Sequence, residues 1–147
     1  MCDIRFASAE AKFTTAFSRR GLIAEHGISW ILPRLVGRAT ALDLLLSART
    51  FRGEEAERLG LVHSAIGPGK TLEKALDYAS DLAANCSPGS MKIIKAQVER
   101  DGQTSLADAL KDSDALMHTS WKTSDFREGV RSFVEKRPPA FSPLELA

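Results

Sequence analysis

Cysteine is scarce in this chain. Cys2 and Cys86 are its only two among 147 residues. They are far apart and lack metal-ligand spacing, so neither a disulfide framework nor a thiolate zinc site is expected. Two ordinary buried, reduced thiols and a cytoplasmic location fit better. Long apolar runs are missing too: none approaches the roughly 18–20 residues of a membrane span. The opening Met1-Cys2-Asp3-Ile4-Arg5-Phe6 lacks the charged start and apolar core of a signal peptide. The chain also has no excess of one charge, with 20 Lys and Arg against 19 Asp and Glu, so no overall field favours nucleic acid or an anionic membrane. The serines form no Gly-x-Ser-x-Gly elbow, and His26, His63 and His118 share no metal-ligand spacing. Gly67-Pro68-Gly69-Lys70 has the wrong glycine spacing for a phosphate loop and reads as a turn.

What the chain does have is enough apolar content, 44% of residues, for one domain burying roughly 70% of its unfolded-chain surface. Alternation at Ile4 and Phe6 and again over residues 11–15 predicts two short strands, the only strand signals before residue 61. Such strands need a sheet supplied by another segment, or leave the front poorly ordered. The start reads like the middle of a domain. Ile28, Ile31, Leu32 and Leu35 predict a helix ending before Gly37, kinked or locally unwound at Pro33. Further helices are expected over 41–46 and 54–59, the latter stopped by Gly60, followed by a strand over 61–66. Beyond Lys70 the pattern is almost wholly helical. A stripe runs from Leu72 to Ala83, and Ser87-Pro88 caps a helix broken at Asp101-Gly102. A helix carrying Leu106, Ala109, Leu110 and Leu116 or Met117 follows. A final one, capped by Ser124, turns Phe126, Val130, Phe133 and Val134 inward and ends at Pro138-Pro139. The fold class is therefore α/β but mostly helical, with a boundary at the Gly67–Gly69 hinge dividing 1–67 from 68–147.

Two places carry candidate chemistry. Glu25 reads as a carboxylate in the first turn of the helix near Ile28. The helix N-terminus there favours the ionised form, and Ile23, Ile28 and Trp30 favour the neutral one. Acids are common in first turns, and Arg19, Arg20 or Arg34 could pair with this one, so spacing alone leaves a surface ion pair and a general base both open. Near the C-terminus Arg127, Arg131, Lys136 and Arg137 surround Phe126 and Phe133. That group suits a phosphate and a stacked base, or simply a solvated helix face.

Several segments in order complete the reading. These are Cys2-Asp3-Ile4-Arg5-Phe6-Ala7 with Ala11-Lys12-Phe13, Gly21-Leu22-Ile23-Ala24-Glu25, and Leu32-Pro33-Arg34-Leu35-Val36-Gly37. Later come Ala41 to Leu46, Glu54 to Val62, and Glu128-Gly129 to Phe133-Val134-Glu135-Lys136-Arg137-Pro138. Together they resemble the later portion of the enoyl-CoA hydratase/isomerase, or crotonase, superfamily, over residue 1 to about residue 141. The resemblance implies the end of a ββα spiral carrying part of an acyl pocket, then a helical region that builds homotrimers and often hexamers. It implies acyl-CoA metabolism with no separate cofactor or metal, coenzyme A being part of the substrate. It also implies enolate stabilisation by two backbone N–H donors, both expected in segments that precede the matching portion. Of a hydratase's two glutamates, one is expected upstream of Met1 and the other falls at Phe17. Glu25 matches the single glutamate of an isomerase branch, which moves a proton between C2 and C4 of a 3-enoyl thioester. Lys136 matches a lysine that approaches the coenzyme A phosphates, sometimes from a neighbouring subunit. Trp30 and Met117 fall where similar proteins line the acyl or coenzyme A pocket. The expected function is isomerase-like proton transfer on acyl-CoA thioesters. The alternative is a non-catalytic truncated fragment or oligomerisation module without an oxyanion hole.

Overall fold

The computed structural model describes residues 2–144. Four short strands and seven helices are assigned within them, an α/β arrangement dominated by helix. Its contacts divide the chain into two units, Met1–Leu76 and Asp77–Ala147.

In the first unit the front strands pair with strands supplied by later segments of the chain. Strand β1 (Phe6–Ser8) pairs in parallel with β4 (Ser64–Ile66). Strand β2 (Lys12–Phe13) pairs antiparallel with β3 (Phe51–Arg52). β3 carries no alternation of its own to announce it. What fixes it is tertiary: Phe51 is buried and its ring stacks on Phe13 with centroids 5.6 Å apart. The strand expected over 61–66 is shortened to its second half, because the Leu61 and Val62 amides are already donating to the Ala56 carbonyl at 2.8 and 3.3 Å. His63 consequently lies just ahead of β4, where its amide donates to the Arg5 carbonyl (2.8 Å) and its Nδ1 accepts from the Arg5 amide (3.0 Å).

Helix α1 (Ile28–Val36) runs through Pro33 without unwinding. The proline, past the middle of the helix, removes one backbone bond, and Leu32, buried beside it, anchors the helix in the core. Gly37, at φ 77°, turns the chain directly into α2 (Arg38–Ser47). α3 (Gly53–Arg58) ends at a turn in which Gly60 has φ 76°. The core of this unit gathers Ala7, Leu32, Ala41, Leu44, Phe51, Ala56 and Val62.

The division between the units falls within α4 (Thr71–Asn85). In the second unit α5 (Pro88–Asp101) is capped by Ser87, whose Oγ accepts from the Ser90 amide at 2.9 Å. α6 (Leu106–Ser120) is capped by Ser105. α7 (Ser124–Glu135) is capped by Thr123, one residue earlier than expected, with Thr123 Oγ1 accepting from the Phe126 amide at 3.1 Å. The inward face expected for α7 is not inward: Phe126, Val130 and Val134 are exposed, and Phe133 is 85% exposed. Periodicity identified the stripe, but the described residues cover it only in part: Phe126 and Val130 line a cavity with Met91, Ile94 and Phe141, while Phe133 and Val134 stay mostly exposed. The thiols are also less buried than expected, Cys2 being exposed and Cys86 half-buried.

Candidate active site

Glu25 is not in the first turn of α1. Gly27 caps that helix with φ 74°, so the carboxylate belongs to the turn ahead of it, and the Glu25 carbonyl accepts from the Ile28 amide at 3.0 Å. The direct first-turn influence of the helix N-terminus is therefore lost, since that field falls off within a turn. The expected apolar surround is also open: Ile23 is 80% and Trp30 56% exposed. Two of the expected arginine partners are engaged elsewhere. Arg19 donates to the Ser47 carbonyl at 3.0 Å, and Arg34 donates to the Trp30 carbonyl at 2.9 Å with its guanidinium 3.6 Å from the centre of the Trp30 ring. The neighbour of the Glu25 carboxylate is His26, with Nε2 3.8 Å from Oε2. The Glu25 side chain is 39% exposed, accessible to a molecule brought against this loop.

The loop itself is unusual. Ala16 (φ 59°) and His26 (φ 54°) are non-glycine residues in left-handed conformation, and Gly21 (φ 70°) and Gly27 (φ 74°) join them. Between them a short 3-10 turn, Ser18–Arg20, is preceded by the half-buried Phe17, whose carbonyl accepts from the Arg20 and Leu22 amides at 2.9 and 3.0 Å. Left-handed backbone at residues with a Cβ persists only where surrounding structure imposes it, and such positions concentrate at functional sites. No sequence signal marked Ala16 or His26.

In this unit a cavity of about 120 Å³ is lined by Phe13, Ile28, Leu32, Leu44, Phe51 and Leu61 with the Thr14 and Thr15 edges. It is apolar and does not include Phe17, Glu25 or Trp30.

In the second unit Met117 lines a cavity of about 250 Å³ bounded by α5 and α6, with Ile93, Ile94, Leu116 and the polar Gln97 and Ser113. The basic C-terminal group is largely neutralised. The Arg137 guanidinium makes two hydrogen bonds to Glu128, at 2.6 and 3.0 Å, and one to Glu135 at 2.6 Å; Arg131 also donates to Glu135 at 2.9 Å. The Arg137 bonds, with a 2.8 Å bond from the Ala140 amide, hold the Glu128 carboxyl down to about 2. Arg127 and Lys136 have no ion pair among the described residues. Lys136 stands at the end of α7 in left-handed conformation (φ 53°). Of the expected cationic cluster, these two side chains keep free charge. No group of three His, Cys, Asp or Glu side chains able to hold a metal occurs among the described residues, and no helix among them is long and apolar enough to cross a membrane.

Comparison with known proteins places these features in a family. A model of the enoyl-CoA hydratase/isomerase family matches residues 1–143. A probable enoyl-CoA hydratase of Rhizobium meliloti is 38% identical over 141 residues, covering 96% of this chain and 54% of the relative. An enoyl-CoA hydratase of Alternaria alternata is 35% identical over 140 residues, covering 95% and 47%. The crystal structure of a probable enoyl-CoA hydratase/isomerase from Mycobacterium abscessus superposes with a TM-score of 0.91 at 31% identity, covering 97% of this chain and 58% of that one. The chain thus spans about half the length of the curated relatives it matches. With its fold and its sequence in agreement over nearly every residue, the chain belongs to the enoyl-CoA hydratase/isomerase family.

Proposed function

We propose that this chain contributes to acyl-coenzyme A chemistry, with Glu25 as the carboxylate that moves a proton between C2 and C4 of a 3-enoyl thioester. The observation that carries the reading is an accessible carboxylate in an imposed, left-handed loop of a chain matched to this family over residues 1–143. Glu25 takes the C2 proton while negative charge passes to the thioester oxygen, then returns a proton at C4 as the double bond shifts. One group serves both steps because no proton is gained or lost overall. The enolate oxygen needs preorganised N–H donors. This reading assigns them to polypeptide beyond residues 1–147, the chain spanning about half the length of its relatives. Phe17 supports isomerisation over hydration, since an aromatic ring cannot activate water. Trp30 and Met117 are assigned to the acyl or coenzyme A lining, and the unpaired Lys136 to the coenzyme A phosphates. In an assay of 3-enoyl-CoA isomerisation, Glu25→Gln lowers turnover about 10²- to 10⁴-fold, the usual worth of a positioned acid/base. A variant that keeps wild-type turnover rejects the assignment.

A second reading, a non-catalytic assembly module, is favoured by the uncovered apolar side chains Val98, Leu106, Phe133 and Val134. Exposed apolar surface on this scale marks association. It predicts self-association, trimeric or hexameric, in sedimentation at micromolar concentration; a clean monomer there, or appreciable turnover by the 147-residue chain, overturns it.

A further inference from the structure

The loop bearing Phe17 and Glu25 is fastened to one end of α2, and this attachment answers the question its left-handed residues raise. The last turn of any helix leaves carbonyls without intrahelical partners. At the end of α2 four side chains of the loop bond to carbonyls; that of Leu44 already accepts from the Ala48 amide at 3.2 Å, so the Thr15 hydroxyl is its second donor. Thr15 Oγ1 donates to the Leu44 carbonyl at 2.9 Å, Ser18 Oγ to Leu46 at 2.8 Å, Arg19 Nε to Ser47 at 3.0 Å, and Thr14 Oγ1 to Ala48 at 3.1 Å. The Thr14 hydroxyl also accepts from the Ala16 amide at 3.2 Å, at the residue held at φ 59°. Arg19 adds a cation at the negative end of the helix dipole. Leu44, at the root of the platform, is 1% exposed and packed in the core.

We infer that Thr15 and Ser18, with Thr14 and Arg19, are positioning residues: the C-terminal carbonyls of α2 act as a fixed template that sets the Phe17–Leu22 turn and, through it, the approach of Glu25. The far end of the loop is tied separately by the Glu25 carbonyl to the Ile28 amide and the Gly27 carbonyl to the Trp30 and Ile31 amides. The chain from Leu22 to Gly27 is therefore suspended between two anchors. Loosening the front one lets Phe17 and Glu25 drift while the core stays intact. The importance of Glu25 rests on the proton-transfer reading above; the template itself does not.

The test separates the two. Amide hydrogen exchange and backbone nuclear magnetic resonance are recorded on the full chain and on Thr15→Val, Thr15→Ser and Ser18→Ala. Thr15→Val keeps the shape and removes the hydroxyl; Thr15→Ser keeps the hydroxyl. Expected in Thr15→Val and Ser18→Ala are exchange at the Arg20 and Leu22 amides faster by about two- to tenfold, the worth of one ordinary hydrogen bond, and shifted Glu25 and Ile28 amide resonances. The His63 amide, bonded to Arg5 beside β1 and β4, stays at its wild-type rate, and Thr15→Ser behaves as wild type. Ser18 is exposed, so Ser18→Ala tests the template even where Thr15→Val perturbs folding. Unchanged Leu22 exchange, unchanged Glu25 resonances, or equal acceleration at His63 overturns the inference. In the isomerisation assay Thr15→Val and Ser18→Ala lower kcat at constant KM. Wild-type turnover that Glu25→Gln leaves unchanged counts against the Glu25 chemistry, and the exchange data still decide the template.

Discussion

Leu44 joins the core of the first unit to the loop that carries the candidate acid/base, and its truncation tests both the core and the α2 platform. It is 1% exposed, packed with Leu32 and Phe51, and borders the cavity of about 120 Å³. Leu→Ala substitutions at buried sites cost about 2–5 kcal/mol, rising by about 24 cal/mol per Å³ of space left behind. Because an empty volume already adjoins Leu44, the new space merges with it and relaxation closes little of it, which puts Leu44→Ala at about 3–5 kcal/mol. A unit the size of Met1–Leu76 has a stability of about 4–11 kcal/mol at ordinary per-residue values. The variant therefore loses a large share of it. At a urea slope of about 1 kcal/mol/M, the low end for small proteins, the midpoint falls by about 3 M or more. The chain offers a clean probe, since its two tryptophans are Trp30 in the first unit and Trp121 in the second. Urea unfolding is followed by Trp30 fluorescence in a Trp121→Phe background. Leu46→Ala is the control: on the same helix but 71% exposed, it shifts stability by no more than about 0.5 kcal/mol. Equal midpoint shifts for Leu44→Ala and Leu46→Ala would refute the placement of the core.

Two further outcomes follow from the geometry. A methyl group on Gly53 would lie 2.0 Å from the Ser8 carbonyl oxygen and 2.9 Å from its carbon. Gly53→Ala must therefore push β1 away from α3, costing at least the 1–3 kcal/mol or so typical of overpacking; an unchanged urea midpoint rejects that contact. Glu128, whose carboxyl is held down to about 2 by the Arg137 hydrogen bonds and the Ala140 amide, binds more protons unfolded than folded between that value and its ordinary 4.5. Its contribution is present in full above the ordinary carboxylate range and is lost as pH falls through about 2. The stability difference between wild type and Glu128→Gln should be flat near neutrality and shrink on acidification. A difference that does not change with pH contradicts the pairing.

Much of the fold could be read from local chemistry. The Ser87 cap with Pro88 behind it, the Gly60 stop and the helix from Ile28 to Val36 all lie where the sequence puts them, because hydrogen bonds three or four residues apart decide them. β3 and the truncation of β4 could not be read, because Phe51 gains its strand from Phe13 and Leu61 loses it to Ala56. The environment of Glu25 was not legible. Its neighbours Ile23 and Trp30 are apolar in sequence and exposed in space, and two of its three expected arginines, Arg19 and Arg34, bond to Ser47 and Trp30 instead.

The sequence alone determined the family, through ordered segments from Cys2 to Pro138, together with the helical register and the residues worth testing. Tertiary structure alone decided that the α7 stripe is only partly covered, that Arg137 is bound to Glu128 and Glu135, and that four side chains from Thr14 to Arg19 grip the end of α2. Periodicity specifies which residues share a face. It does not specify what meets that face, and a carbonyl 28 to 34 residues away in the chain enters a hydrogen bond only once the core has brought the two ends together.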